Sequence, residues 1–344
     1  MVQIPSTMRV NVLLGQRQVE MQERPVPRPA PGDVLVRVRS VGVCGSDVHY
    51  YMEGRIGPYV VESPLVLGHE VSGVIADVGD GVSPERIGQR VAIEPQRPCR
   101  RCRHCKNGRS NLCEQMEFYA TPPIDGTFCD YVVAPADYAH PVPDALSDHA
   151  AALLEPFSVG IWACQKAGVQ PGDTVLVTGG GPIGALTCLA ARSFGAGRVV
   201  VTDLVPSRRE RILGFGATEA HDPADPDFDP AAIEADAFIE CSGATPAVHA
   251  GLAALRSGGT AVLVGLGPPE IPIPVGLVAM KEIVLTGVFR YVDTWPRAIA
   301  AAQQQGVDLD ALVTAEYELE DAEDALTSDS DPESMKSVVV VSRA

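Results

Sequence analysis

The chain lacks a basic segment followed by an apolar one at its start, MVQIPSTMRV, and it contains no run of about 18 apolar residues. Secretion and membrane spanning are therefore not expected, and the cytoplasm is the default location. An excess of positive charge is also missing. Lys and Arg number 27 against 44 Asp and Glu, a formal charge of −17 that repels phosphate backbones and anionic lipid. Neither nucleic acid nor a membrane is expected as a partner. A cysteine count suited to disulfide pairing is absent as well: nine is odd, and no secretory signal accompanies it, which points to metal or core roles. Internal repeats are not found. What remains is an ordinary globular composition, 46% hydrophobic over 344 residues, ample for two cores at about 150 residues per domain.

The first half reads as β. Stretches 34–39, 71–78, 91–93 and 131–134 are short apolar runs between Gly and Pro, the period-two pattern of half-buried strands in a sandwich or barrel. The Pro-rich segment 25–33 is a surface connection, because strand patterning lies on both sides of it. Near Ser147, an expected helix cap, the texture turns Ala-rich and helical, with Pro156 an expected interruption. Beyond the turn Pro171-Gly172-Asp173, strands at 174–178, 198–203, 237–241, 260–265 and 283–288 alternate with helices at 183–194, 208–215 and 246–256. That alternation calls for a parallel, doubly wound sheet. Ser207 and Glu210 have the spacing of a capping box for one of these helices. The segment 221–236 holds five Asp, one Glu and three Pro. Pro223, Pro226 and Pro230 forbid a regular helix there, which favours a mobile acidic loop over a clipped crossover. Helical pieces at 295–305 and 319–326 and a strand at 337–341 follow, and this tail is a candidate to rejoin the first domain.

Three motifs carry chemistry. Cys99-x2-Cys102-x2-Cys105-x7-Cys113 places four thiols within one short segment, a set that closes a tetrahedral zinc site with no open position and so a structural role. The five Arg and one Lys of 97–109 are expected to offset the charge of that thiolate centre. Cys129, Cys164, Cys188 and Cys241 read as small apolar core residues. Gly179-Gly180-Gly181-Pro182-Ile183-Gly184 contains G-x-G-x-x-G between a strand and a helix, where glycines admit a pyrophosphate to the helix N-terminus. Asp203, 19 residues after Gly184, is placed to accept hydrogen bonds from a ribose and to repel a 2′-phosphate, favouring NAD over NADP, although Arg208 and Arg209 follow it. The third motif lies within 43–73. Cys44, His69 and Glu70 are the ligand types of a catalytic zinc, which takes three protein groups and keeps one position open. Adjacent strand residues face opposite ways, so His69 and Glu70 share a metal only if the backbone turns there; otherwise Glu70 stands behind the ligands. The remaining group is Glu70, water or Glu155.

These residues together resemble the zinc-containing medium-chain dehydrogenases, in particular the polyol branch typified by sorbitol and xylitol dehydrogenases. CGSDVHYY, GRIG, the GHExxGxxxxxGxxV signature from Gly68 to Val82, RVAIEP, ATPP, EPFSVG, GGGPIG, VVVTDL, VLVGLG and GVFRY carry the likeness along nearly the whole chain. The resemblance implies a GroES-like β-barrel catalytic domain at 1–157, completed by 291–344. It also implies a Rossmann domain at 158–290, with substrate bound between the two. It makes Cys44 and His69 zinc ligands, with Glu70 or Glu155 exchanging with water, and assigns Ser46 and His49 to a proton relay. Substrate contacts are implied at Tyr50, Phe118, Thr121, Glu155, Arg290 and Tyr291. Cofactor contacts are implied at Gly179, Gly181, Pro182, Ile183, Gly184, Asp203, Arg208, Val264, Gly265, Leu266, Val288 and Phe289. The four retained cysteines resemble bacterial or fungal xylitol-type members. The short, Pro-rich 221–236 segment departs from the family pattern.

The expected activity is oxidation of a secondary hydroxyl of a polyol by zinc and NAD. A simple secondary alcohol, a butanediol or threonine is the nearest rival substrate, and a catalytically silent NAD-binding sensor the rival of another class. The family further implies a homotetramer, with the strand following Gly265 as the pairing edge.

Overall fold

Two units account for the chain in a computed structural model, which describes residues 4–304, 307–328 and 334–343. The first comprises Met1–Glu155 with Asp308–Ala344 and the second Pro156–Val307. Residues 291–307, expected with the tail, fall in the second unit.

In the first unit the expected strands form a seven-stranded sheet. Along its main path the order is Ala139–Pro141, Arg90–Ile93, Glu70–Val78, Asp33–Gly42, Lys336–Val340 and Val313–Glu318. Tyr131–Pro135 also pairs with Asp33–Gly42. The Asp33–Gly42 strand is buried along nearly its whole length, which explains its near-continuous run of Val and Leu. Val36, Val38, Val41, Val71, Ile75, Val91 and Ile93 form the centre of this core. The tail does rejoin the first unit: Val338, Val339 and Val340 lie antiparallel to Gly42, Val41 and Ser40. Two members of the sheet, Ala139–Pro141 and Val313–Glu318, have no counterpart among the expected strands. In Val313–Glu318 half-buried residues alternate with exposed ones, but the segment VTAEYE holds too few apolar groups to stand out.

The second unit carries a six-stranded parallel sheet. Its order is Glu219–His221, Arg198–Thr202, Thr174–Thr178, Ala235–Glu240, Leu255–Leu263 and Val284–Gly287. Numbered along the chain that order is 3-2-1-4-5-6, the doubly wound arrangement expected of a Rossmann domain. Helices Pro182–Ser193, Pro206–Ile212 and Thr245–Ala254 fill the expected crossovers. The segment 221–236 has no α-helix; it opens on the edge strand Glu219–His221 and ends in the 3-10 turn Pro230–Ile233.

Local chemistry corrected three expectations. The Ser207 capping box does not form, because Pro206 occupies the first helical position and Val205 the cap, which puts Ser207 inside the helix. Pro156 does not interrupt a helix; it sits in the first turn of Leu154–Ala167, where no N–H is missed, and the break falls at Leu153. The helix expected over 295–305 runs Trp295–Ala302, and residues 305–306 lie outside the described residues. Ser147 does cap its helix, accepting the Ala150 N–H at 2.9 Å.

Candidate active site

Cys44 caps the helix Gly45–Glu53. Asp47, in the first turn, accepts the Cys44 N–H at 3.1 Å through Oδ2 and the Gly68 N–H at 2.9 Å through Oδ1. One buried carboxylate therefore ties the helix cap to the residue before His69. Gly68 has φ +85°, and a Cβ there would press on the Phe128 ring and Val41. This glycine supplies the backbone turn that allows adjacent His69 and Glu70 to share a site, with the strand Glu70–Val78 beginning only after it. Across the sheet Gly42 pairs with Glu70, and any side chain at Gly42 would collide with Glu70 Oε2. The result brings one potential ligand atom each from Cys44, His69 and Glu70 within 4.8 Å of one another.

The electrostatics of this cluster depend on a residue far away in sequence. Lys336 Nζ donates to Glu70 Oε1 at 2.6 Å and to the Val43 carbonyl at 2.7 Å. Lys336 is 5% exposed and Glu70 0%. Burial pulls the ammonium pKa down, but the charges of Glu70, Cys44 and Glu155 outweigh it and the net shift is upward, so the lysine stays charged. His69 faces Asp47 Oδ1 at 3.6 Å through Nδ1, beyond hydrogen-bond reach yet within ionic range. Burial opposes the imidazolium; Asp47 and Cys44 more than offset it and raise the His69 pKa. The Asp47 carboxyl is also resisted by burial, and His69 with the Gly68 and Cys44 amides holds it below its ordinary value.

Glu70 Oε2 is buried with no hydrogen-bond partner. Leaving such an oxygen unmatched is costly unless a cation meets it. A thiol, an imidazole and an orphaned carboxylate oxygen fit zinc, and three ligands leave one position open. Glu155, the alternative fourth group, is 4% exposed and lies outside the three-residue grouping. Its charge reaches Lys336 instead.

The remaining candidates in this unit surround the same helix and strand. Ser46 and His49 are half-buried on Gly45–Glu53, with His49 Nδ1 3.2 Å from Glu53 Oε1 one turn on. Tyr50 is buried on that helix. The Phe118 ring is tilted 5.7 Å from the His69 ring. Thr121 donates its N–H to the Phe118 carbonyl at 3.1 Å.

The four cysteines of the second motif also converge, with all four sulfurs within 4.8 Å of one another. Amides point at them: Cys99 N–H donates to Cys113 Sγ at 3.2 Å, Cys102 N–H to Cys99 Sγ at 3.3 Å and Gln115 N–H to Cys113 Sγ at 3.4 Å. Amides of Cys105 and Glu114 pull the Cys102 thiol down to about 6. These donors stabilise thiolates, as a closed zinc lobe requires. Three of the five neighbouring arginines meet carboxylates: Arg97 pairs with Asp33, Arg100 with Asp137 and Arg103 with Glu114.

In the second unit the three fingerprint glycines have distinct reasons. Gly179 has φ +90° and abuts Ser242; Gly181 is the helix cap and has open space where a Cβ would be; a Cβ on Gly184 would strike the Gly179 carbonyl. Tight turn, close approach by a ligand and strand to helix contact are thus separately enforced. Pro182 takes the first helical position and Ile183 follows it. Asp203 Oδ2 accepts the Gly180 N–H at 2.7 Å and Oδ1 the Val205 N–H at 2.8 Å, while Arg208 flanks Gly180 beside it. Val264 and Gly265 donate their N–H groups to the Glu240 carbonyl, and Leu266 is exposed. Val288 N–H bonds the Leu263 carbonyl, and Phe289 is exposed under the Arg290 guanidinium, 4.8 Å from its ring centre. Arg290 and Tyr291 follow the strand Val284–Gly287 by a short turn rather than ending it. Tyr291 is buried edge-on against Trp295.

Residues 30–144 match the alcohol dehydrogenase GroES-like domain and residues 182–304 the zinc-binding dehydrogenase domain. The chain belongs to the zinc-binding dehydrogenase family. This dehydrogenase is 42% identical to the sorbitol dehydrogenase of Bacillus subtilis over 94% of both chains. It is 41% identical to a probable D-xylulose reductase A of Aspergillus fumigatus over 91% of both. Its fold matches the crystal structure of L-idonate 5-dehydrogenase from Escherichia coli with TM-score 0.92 and 31% identity, over 97% of this chain and 98% of that one. Membership makes it an oxidoreductase of zinc and a nicotinamide cofactor and bears out the expected fold, GroES-like followed by Rossmann. No helix among the described residues is long and apolar enough to cross a membrane.

Three residues of this dehydrogenase escaped the motif reading: Asp47, Lys336 and Glu240. Asp47 had a signal, since Cys44-x-x-Asp47 is itself a capping-box spacing. Lys336 heads the apolar run SVVVV, an odd place for a lysine, but nothing local names its partner. Glu240 is buried and accepts from the Ser242 and Gly243 amides at 2.7 and 2.8 Å, shaping the turn after its strand.

Proposed function

We propose that this dehydrogenase oxidises a secondary hydroxyl of a polyol of the sorbitol or xylitol type to the ketose, with NAD as hydride acceptor. The observation that carries the reading is the buried, unpartnered Glu70 Oε2 beside Cys44 and His69, on a chain 42% identical to a sorbitol dehydrogenase. Cys44, His69 and Glu70 hold the catalytic zinc, and Cys99, Cys102, Cys105 and Cys113 the structural one. Zinc held by Cys44, His69 and Glu70 would lower the pKa of the alcohol and stabilise its negative charge, and NAD held at the glycine turn would accept the hydride from the same carbon. Ser46 Oγ takes the hydroxyl proton as it releases its own toward His49, which, held by Glu53, passes one proton to water, so the products are ketone, reduced cofactor and one released proton. Tyr50, Phe118, Thr121 and Glu155 in the first unit, and Arg290 and Tyr291 in the second, are the proposed substrate contacts. A carboxylate and a guanidinium among these contacts suit a molecule with several hydroxyls better than one with a single hydroxyl.

Asp203, Arg208 and the glycine turn bind the adenosine and pyrophosphate side of NAD. Val264, Gly265, Leu266, Val288 and Phe289 serve the nicotinamide side. The subunits assemble as a homotetramer in the cytoplasm. The edge strand Val284–Gly287 and the helix Val275–Met280 support this, because Val275, Met280 and Val284 are 72%, 81% and 56% exposed, a large apolar surface for a lone chain. Nine free cysteines fit a reducing compartment.

The deciding experiment follows NADH formation with sorbitol, xylitol, 2,3-butanediol and threonine side by side, before and after chelation and zinc repletion. Polyols are expected to give the highest kcat/KM, with activity lost on chelation and restored by zinc. Turnover by zinc-free protein, or preference for threonine, would sink the reading.

A further inference from the structure

The segment 222–230, which no step above uses, forms one wall of a cavity of about 550 Å³. Asp203 and Arg208 line that cavity, and so do Pro223, Ala224, Phe228 and Pro230. It opens beyond the carboxyl ends of the parallel strands Thr174–Thr178, Arg198–Thr202 and Ala235–Glu240, and the strand order reverses between the first and the last of these. Dinucleotides bind at that place in such sheets.

The wall is held by its own aspartates. Asp222 Oδ1 accepts the Ala224 N–H at 2.9 Å, Asp225 Oδ1 the Asp227 N–H at 2.9 Å and Asp229 Oδ1 the Ala231 N–H at 3.0 Å. Phe228 stacks on His221 with 5.2 Å between ring centres. The segment is a staircase of side-chain turns. Its attachment to the ribose side is Arg209. That guanidinium donates through Nη1 to the Asp203 and Leu204 carbonyls at 2.8 and 2.9 Å, and the same nitrogen lies 3.2 Å from Asp222 Oδ2.

From this geometry we infer that the 222–230 segment selects NAD against NADP, and that the Asp222 to Arg209 ion pair is its working contact. The inference rests on the NAD site proposed above. A 2′-phosphate brings almost two negative charges to the neighbourhood of Asp203. Arg209 is the cation fixed to the Asp203 backbone, and Asp222 already neutralises it. The rest of the segment adds Asp225, Asp227 and Asp229 and no Lys or Arg. NAD has a neutral hydroxyl where NADP has its phosphate, so the arrangement acts on the ratio between the two cofactors. The apolar side chains Pro223, Ala224, Phe228 and Pro230 face both cofactors alike.

The test compares Asp222→Asn and Phe228→Ala with the parent protein. Two readouts are used: kcat/KM for NAD and NADP, and calorimetric binding of ADP-ribose and its 2′-phosphate. Asp222→Asn is expected to raise the NADP to NAD ratio about tenfold, the scale of one charge acting on a partly solvated phosphate, and the rise should shrink in high salt. Phe228→Ala is expected to weaken both ligands equally and leave the ratio in place. An unchanged ratio in Asp222→Asn, or equal losses for both ligands, overturns the selection role. Failure of the parent protein to bind NADH overturns the cofactor reading, and the inference with it.

Discussion

The two candidate metal-ligating clusters of the first unit are built in opposite ways. The four-cysteine lobe comes from one segment, its sulfurs are met by amides of that same segment, and every ligand is a thiol. The Cys44 cluster draws on a helix cap, a glycine turn, the start of a strand and a lysine 266 residues from Glu70. It mixes three ligand types and leaves a carboxylate oxygen unmatched. A local, fully matched site suits permanence, whereas an assembled and incompletely matched one keeps a place for a reacting group.

The sharpest way to break this contrast is a serine in each cluster. Cys44→Ser is expected to abolish turnover while NADH still binds, seen by fluorescence, and to leave the four-cysteine zinc in place by metal analysis. Cys102→Ser is expected to remove that zinc and lower the Tm by roughly 5–10 °C, with activity persisting at low temperature. If Cys102→Ser silences the enzyme as completely as Cys44→Ser at every temperature, the division of roles is wrong.

The next effect in size concerns the buried cation. Lys336→Met leaves Glu70 charged and unpaired, a loss of about 3–5 kcal/mol when no metal is present. Bound zinc supplies the missing positive charge, so the gap in Tm between zinc-loaded and chelated protein should widen relative to the parent. Equal Tm losses in both forms would mean that Lys336 packs the sheet and has no electrostatic dialogue with the site.

A control in the second unit should move least. Arg198 and His221 hold the Glu219 carboxyl down at about 2 on the edge strand of the second unit. A depressed carboxylate stabilises the fold above its ordinary value of 4.5 and loses that contribution as pH falls toward about 2. Because the pair is partly exposed, Glu219→Gln should cost less than about 1 kcal/mol at neutral pH, and the difference should fade on acidification. Metal content should not change.

The same contrast explains what was legible in the sequence. The cysteine lobe and the glycine fingerprint could be read because their chemistry lies within a few residues, and the βα alternation of the second unit because strands such as Thr174–Thr178 and Arg198–Thr202 have apolar centres. Glu70 stayed ambiguous, since its role depends on the turn at Gly68 and the empty space at Gly42, facts of sheet register. Lys336 was invisible because its partner is chosen by which strand lies beside Asp33–Gly42. The edge strand Glu219–His221 was missed because three residues with two polar side chains carry no period. The misread cap at Ser207 shows a competition between two local signals, in which the proline at the first helical position prevailed.

Lys336 also sets an order of events during synthesis. The strand that carries it follows the entire nucleotide-binding unit in the chain. While the ribosome is still building that unit, the cysteine lobe already has all its ligands and can capture zinc. Glu70 then stands without its ammonium partner, and the strand Asp33–Gly42 without the neighbour that later covers one of its edges. Nascent chains tend to fold N-terminal parts first. In this one, the structural metal has the means to arrive early, and the catalytic pocket reaches its final charge balance only when the closing strand docks.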